Sequence, residues 1–175
     1  MKPAHRVRAA VNAVNLSTPL GLLVGLAGGA CFTPGPEGLV LGDGYRLPVP
    51  AARAFTVGNV VLFSRIRAVD APAPLLAHES RHATQYAICL GPAMVPLYLV
   101  ACGWSWVRTG DFASRNIFET SAGLLDGGYT DRPLRPIFRR GGGEEEPGRN
   151  AGSPERSARE LDRRSRGRRR HATGG

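Results

Sequence analysis

Several residue types are scarce in this chain, and each scarcity excludes something. The three cysteines, Cys31, Cys89 and Cys102, are odd in number and lack C-x-x-C spacing. That argues against a disulfide framework and leaves each cysteine as a small apolar residue. Glutamate is sparse before the C-terminal tail. Only Glu37, Glu79 and Glu119 fall within residues 1–138, and His5 is the one histidine there besides His78 and His82. Lysine is almost missing, with a single Lys against 22 Arg in a chain rich in Ala, Gly and Pro. Such a bias fits a GC-rich genome, which supplies arginines without a selected function. Aromatic residues are absent from Arg139 onward, where eleven Arg face six acidic residues and supply +5 of the net +9. With no aromatics between the arginines to stack on bases, the specific signal for single-stranded nucleic acid is lacking.

That tail, residues 137–175, carries Gly, Glu and Arg runs and one Leu. It cannot bury enough apolar surface to offset chain entropy, so disorder is expected. A solvated tail is the plainer reading; anionic lipid or nucleic acid bound through charge alone is the other. Residues 1–136 are enough for one domain with a modest core.

Against this background one motif stands out: His78-Glu79-Ser80-Arg81-His82, an H-E-x-x-H pattern. Random placement of this chain's His and Glu residues would produce it with a probability of about 0.004. On a helix, residues four apart share a face, so both imidazoles can reach one Zn2+ ion. Glu79 then lies beside the open coordination position, where it can take a proton from water. Pro74 can start such a helix and Gly91-Pro92 can stop it. Gln85 shares the histidine face, whereas Arg81 points elsewhere, toward an acid or a lipid phosphate.

A zinc site needs a third protein ligand. Glu119 lies in Asn116-Ile117-Phe118-Glu119-Thr120-Ser121-Ala122-Gly123, which reads as a helix that buries its single charge. A buried carboxylate needs a partner. Zinc held with the two histidines is one partner; Arg115, four residues earlier, is the other.

The rest of the body reads as α+β, a small antiparallel sheet packed on helices. Ala9 to Ala27 is an apolar segment behind Lys2, Arg6 and Arg8. Gly42-Asp43-Gly44 reads as a hairpin turn between Gly38–Leu41 and Tyr45–Val49. A third strand is expected from Phe55 to Phe63, either a core strand or an edge beside the cleft that can pair with an extended substrate.

Two charge-free runs raise the question of a membrane. Leu16–Pro34 makes a poor signal sequence, because Ser17, Thr18, Pro19 and several Gly interrupt it and fifteen residues precede it. No cleaved signal is expected, and the location reads as cytoplasmic or membrane-associated. Ala83–Val107 holds 25 uncharged residues. That length is enough for a bilayer, which takes roughly 20, although Gly91, Pro92, Pro96 and Gly103 interrupt it. The soluble reading makes 91–99 a Pro-bounded connection and Val100–Val107 part of a buried helix. Trp104 and Trp106 then belong to the core or to a lipid headgroup boundary, and spacing leaves both open.

On its motif the chain resembles the gluzincin-type metallopeptidases, which carry H-E-x-x-H on one helix and a Glu ligand on a later one. Here those positions are His78, Glu79, His82 and Glu119-Thr120-Ser121-Ala122. It is more closely similar to small bacterial proteins with an H-E-x-x-H-x-x-Q core followed by Leu-Gly-Pro and Pro-Leu-Tyr. Gln85, Leu90-Gly91-Pro92 and Pro96-Leu97-Tyr98 carry that likeness, over roughly residues 10–136. The resemblance implies a minimal zincin-like core with zinc on His78, His82 and Glu119, and peptide hydrolysis with Glu79 as general base.

One departure is Gly123, where gluzincins usually place an Asp that accepts the second N–H of a ligand histidine. Asp126, Asp111 or a backbone carbonyl would have to replace it. Tyr129, Tyr98 and Arg115 are all available as an oxyanion donor. The alternative functions are a non-catalytic zinc-binding, membrane-associated interaction protein, and an anion binder acting through the tail.

Overall fold

The computed structural model describes residues 1–50 and 52–135. The tail, with its expected disorder and its anionic partners, lies outside the described residues. What is described belongs to one compact unit, Met1–Ile137, and is α+β as expected.

The apolar N-terminal segment is two helices, α1 (Pro3–Val14) and α2 (Ser17–Ala27), bent by 73°. Four short strands follow: β1 (Cys31–Pro34), β2 (Val40–Asp43), β3 (Ala54–Val57) and β4 (Val60–Phe63). Then come α3 (Ala73–Ile88), α4 (Met94–Thr109) and the short α5 (Ile117–Ser121). The sheet order is β1-β2-β4-β3.

The sheet is mixed rather than wholly antiparallel, because β2 runs parallel to β4 while the other two pairs are antiparallel. The expected hairpin at Gly42-Asp43-Gly44 does not form. Strand β2 takes β1 as its antiparallel partner instead, and Tyr45–Val49 is not a strand. Pro48 and Pro50 have no N–H to give a ladder there. Tyr45 packs edge-on against Phe55, with ring centroids 5.0 Å apart, and its hydroxyl donates to the Val49 carbonyl.

The long third strand is in fact two, β3 and β4, folded at Gly58-Asn59. Gly58 has φ +62°, and a Cβ there would lie 2.4 Å from the Ser17 and Thr18 backbone. The start of α2 thus seats directly on this turn, which only glycine allows.

Strand β4 is the centre of the core, with all four residues at 0 % exposure. By alternation Val61 and Phe63 join Leu75 and Ala83 of α3, while Val60 and Leu62 meet α2 residues on the other face. A strand buried on both faces is apolar throughout, as Val60-Val61-Leu62-Phe63 is.

Helix α3 has Pro74 in its first turn and ends before Leu90 and Gly91, both with positive φ. Helix α4 begins at Met94, so the expected connection over 91–99 is shorter than its prolines suggested. Pro96 falls in the first turn, where its missing N–H has no helical partner to lose. Among the described residues no single helix is long and apolar enough to cross a membrane. Two bent pairs, α1 with α2 and α3 with the Gly91–Thr109 segment, reach the required length and composition together.

The Gly58 turn yields a test. Replacing Gly58 with Ala should destabilise the fold by about 2–4 kcal/mol through the positive φ and the clash with α2. Urea unfolding measures this, and a change below about 0.5 kcal/mol would contradict the seating of α2 on the turn.

Candidate metal centre

Helix α3 places His78 and His82 one turn apart on its buried face, with imidazole centroids 4.6 Å apart and planes at 87°. Glu119 comes from α5, whose first turn is capped by Asn116 Oδ1 accepting from the Phe118 N–H. The three side chains converge, and their ligand atoms lie within 4.8 Å of one another. Glu119 is 1 % exposed and His78 2 %. Arg115, the other partner considered for Glu119, pairs with Asp131 instead, at 2.8 Å.

Hydrogen bonds fix the ring tautomers. His78 Nδ1 lies 3.0 Å from the carbonyls of both Ala122 and Gly123, so Nδ1 must carry the proton. Gln85 Nε2 donates to the Phe118 carbonyl at 2.9 Å, which turns its Oε1 toward His82 Nδ1 at 2.7 Å. His82 Nδ1 is therefore also a donor. Both Nε2 atoms are left as lone-pair bearers, and they face each other at 3.0 Å.

Glu119 presents its carboxylate to the same point, with Oε2 3.2 Å from His78 Nε2 and Oε1 3.6 Å from His82 Nε2. Tyr98 donates to Oε1, while the buried Oε2 has no donor among the described residues. Burial alone would raise the Glu119 carboxyl, but the neighbouring His78 and His82 rings and the Tyr98 hydroxyl outweigh that and hold it at about 2. His78 is drawn down by burial and up, more strongly, by Glu119 and Glu79, so its net shift is upward. Two lone pairs and an anion thus surround one point, and a positive charge is required there. A proton can meet that need only partly; a divalent cation satisfies every acceptor at once. The donor set of two imidazoles and a carboxylate fits Zn2+ and other imidazole-preferring transition metals.

Backbone carbonyls, one of the three substitutes named for the Asp that the resemblance leads one to expect at Gly123, accept from His78. Gly123 has φ +84°, and a Cβ there would lie 2.6 Å from Arg81 Nη1 and 2.7 Å from Asp126 Oδ2. The turn it makes directs the Ala122 and Gly123 carbonyls at His78. Asp126 acts one step removed, accepting from Arg81 at 2.8 Å while Arg81 also donates to the Ala122 carbonyl at 2.6 Å. Asp111 lies elsewhere and caps Ala113 and Ser114.

Glu79, 3 % exposed, stands apart from the triad and accepts from Thr56 Oγ1 of β3 at 2.7 Å. Burial pushes its carboxyl above the ordinary range despite His82, Thr56 and His78, which act the other way. The two glutamates therefore sit in opposed environments, one carboxyl held low and the other pushed up by burial. A mainly apolar cavity of about 280 Å³ opens on both, lined by Phe55 and Val57 of β3, Met94 and Leu99 of α4, and Tyr129.

Sequence reasoning missed Thr56, whose strand position carried no chemical signal. It also missed Gly127, where a Cβ would lie 2.7 Å from the His78 ring. Comparison with protein-family models, with curated proteins and with solved structures finds no match.

The Gln85 contact is testable. Gln85→Ala should weaken Zn2+ binding by roughly 10- to 100-fold, since it frees the His82 ring and its tautomer. Competition with a chromophoric chelator reads the affinity, and an unchanged value would remove Gln85 from the site.

Proposed function

We propose that the chain is a zinc-dependent metallopeptidase. The observation that carries this reading is the convergence of His78, His82 and Glu119 on one point, with a separate, buried Glu79 at the head of the same cavity. His78, His82 and Glu119 would hold the ion. Zinc, when bound, supplies an electrophile that polarises a peptide carbonyl and acidifies water.

The chain's own residues supply the rest. Glu79 takes the proton of the attacking water and returns it to the leaving amine, a role suited to a carboxyl whose pKa burial has raised. Thr56 fixes the orientation of Glu79. Of the oxyanion donors considered, Tyr98 is committed to Glu119 and Arg115 to Asp131. Tyr129, on the cavity wall with its ring 6.1 Å from that of His78, is the one still available.

Among the described residues, strand β3 is the edge of the sheet and pairs only with β4. The two-residue turn makes Val57 and Val60 a hydrogen-bonded pair, so Thr56 directs its backbone N–H and C=O outward. An extended peptide can add there as a further strand, with an apolar side chain in the cavity.

Two substitutions test the assignment against quenched peptide substrates carrying apolar residues. Glu79→Gln should abolish hydrolysis, by at least about 100-fold, while the zinc content stays near one per chain. Tyr129→Phe should lower kcat by about 100-fold with KM little changed. Zinc retained without hydrolysis by the parent would favour the non-catalytic zinc-binding reading. Full activity in Glu79→Gln would overturn the mechanism.

A further inference from the structure

Helix α4 is buried along one narrow stripe only, with Met94, Ser105 and Thr109 as its buried residues. At 3.6 residues per turn the exposed positions cover about 220° of its circumference. Every exposed position from Val95 to Val107 is apolar, Pro or Gly. Leu99 is 63 % exposed, Val100 72 %, Trp104 57 % and Val107 60 %. A helix facing water carries polar residues on that side, so this face is built for another medium.

The apolar surface continues past the end of α3, where Ile88 and Leu90 are 74 % and 79 % exposed. Gly91 packs against Asn15, so the segments that carry Leu90 and Leu16 meet here, and Leu16 is itself 65 % exposed. Both leucines are held at positive φ, 57° and 68°. That conformation costs a leucine side chain energy, and here it is adopted by two leucines that are both largely exposed.

We infer that α4 and the Leu16–Leu90 apex dock on an anionic lipid surface, with α4 lying in the headgroup–acyl boundary. Shape decides lipid over a second copy of the chain. A ridge exposed over about 220° cannot be covered by another convex ridge, which contacts a stripe of about 100°. Lipid tails surround it on all sides. Length decides against crossing, since 16 residues span about 24 Å against a hydrocarbon core of about 30 Å.

The end of the ridge supplies the headgroup contacts. The Arg108 guanidinium lies 5.4 Å from the centroid of the Trp104 ring, and its Nε is buried with no partner among the described residues. The Arg135 guanidinium packs against Gly110, and its backbone N–H bonds to the Arg108 carbonyl. Among the described residues neither arginine makes an ion pair. Trp and Arg at the end of an apolar face form the pattern of an interfacial helix. The body adds a favourable net charge, with twelve Lys and Arg against eight acids in residues 1–138.

The chain's two tryptophans both lie on this helix, so its own fluorescence reports the docking. The full chain is mixed with vesicles of phosphatidylcholine alone and of an equimolar mixture with phosphatidylglycerol. Emission should shift to the blue with both, at lower lipid concentration for the anionic ones. Leu97→Asp combined with Val100→Asp, at positions outside the cavity, should raise the lipid needed by at least about tenfold. Val100→Asp alone should act in the same direction, and circular dichroism checks that both variants fold. Co-sedimentation without a tryptophan shift would assign binding to the Arg-rich tail and overturn the inference. So would a blue shift that grows with protein concentration in the absence of lipid, which marks a second copy. No shift in either vesicle would overturn it as well.

Discussion

Two imidazole lone pairs and a carboxylate held within a few ångströms of one another repel unless something positive lies between them. The rest of this molecule is arranged to keep that repulsive geometry in place. Carbonyls of Ala122 and Gly123 and the Gln85 amide pin the two Nδ1 protons, so neither ring can turn its N–H inward to relieve the contact. Tyr98 satisfies one Glu119 oxygen and leaves the other without a donor among the described residues. Burial removes water as an alternative. A bound cation would supply that positive charge.

Rigidity at the site comes from its neighbours in the core. Strand β4, sealed on both faces, fixes β3 on one side and the buried face of α3 on the other. That geometry sets Thr56 against Glu79 and keeps Glu79 out of the triad. Two carboxyls of the same chemistry thereby acquire opposite proton affinities from their surroundings alone. Val95 and Leu99 of α4 belong both to the cavity wall and to the exposed apolar ridge, which puts the cavity beside the proposed lipid boundary.

What could be read from the sequence was what depends on local spacing. His78 and His82 share a face because four residues make about one helical turn, and Gln85 follows from the same periodicity. Glu119 was legible through scarcity, as the one other carboxylate placed to be buried. The mixed sheet was not legible. Gly42-Asp43-Gly44 has turn chemistry, yet Asp43 Oδ1 instead accepts from the Ala68 N–H and the hairpin forms at Gly58. The parallel β2–β4 pairing is a long-range choice that no local signal encodes. Nor could spacing show that backbone carbonyls accept from His78, since that depends on the left-handed turn at Gly123 and on Arg81. The environment of α4 was equally hidden, because periodicity cannot tell a core face from a lipid-facing one when both are apolar.

The central claim concerns what occupies the point shared by His78, His82 and Glu119. X-ray absorption at the zinc edge of the purified full-length protein tests it most directly. Imidazole nitrogens at about 2.0–2.1 Å and oxygen ligands at about 2.0–2.2 Å, with no sulfur shell, are the predicted result. A sulfur shell at about 2.3 Å would place the metal on cysteine, and a protein that binds no zinc would leave the triad as a proton-sharing core cluster. Either result would contradict the account.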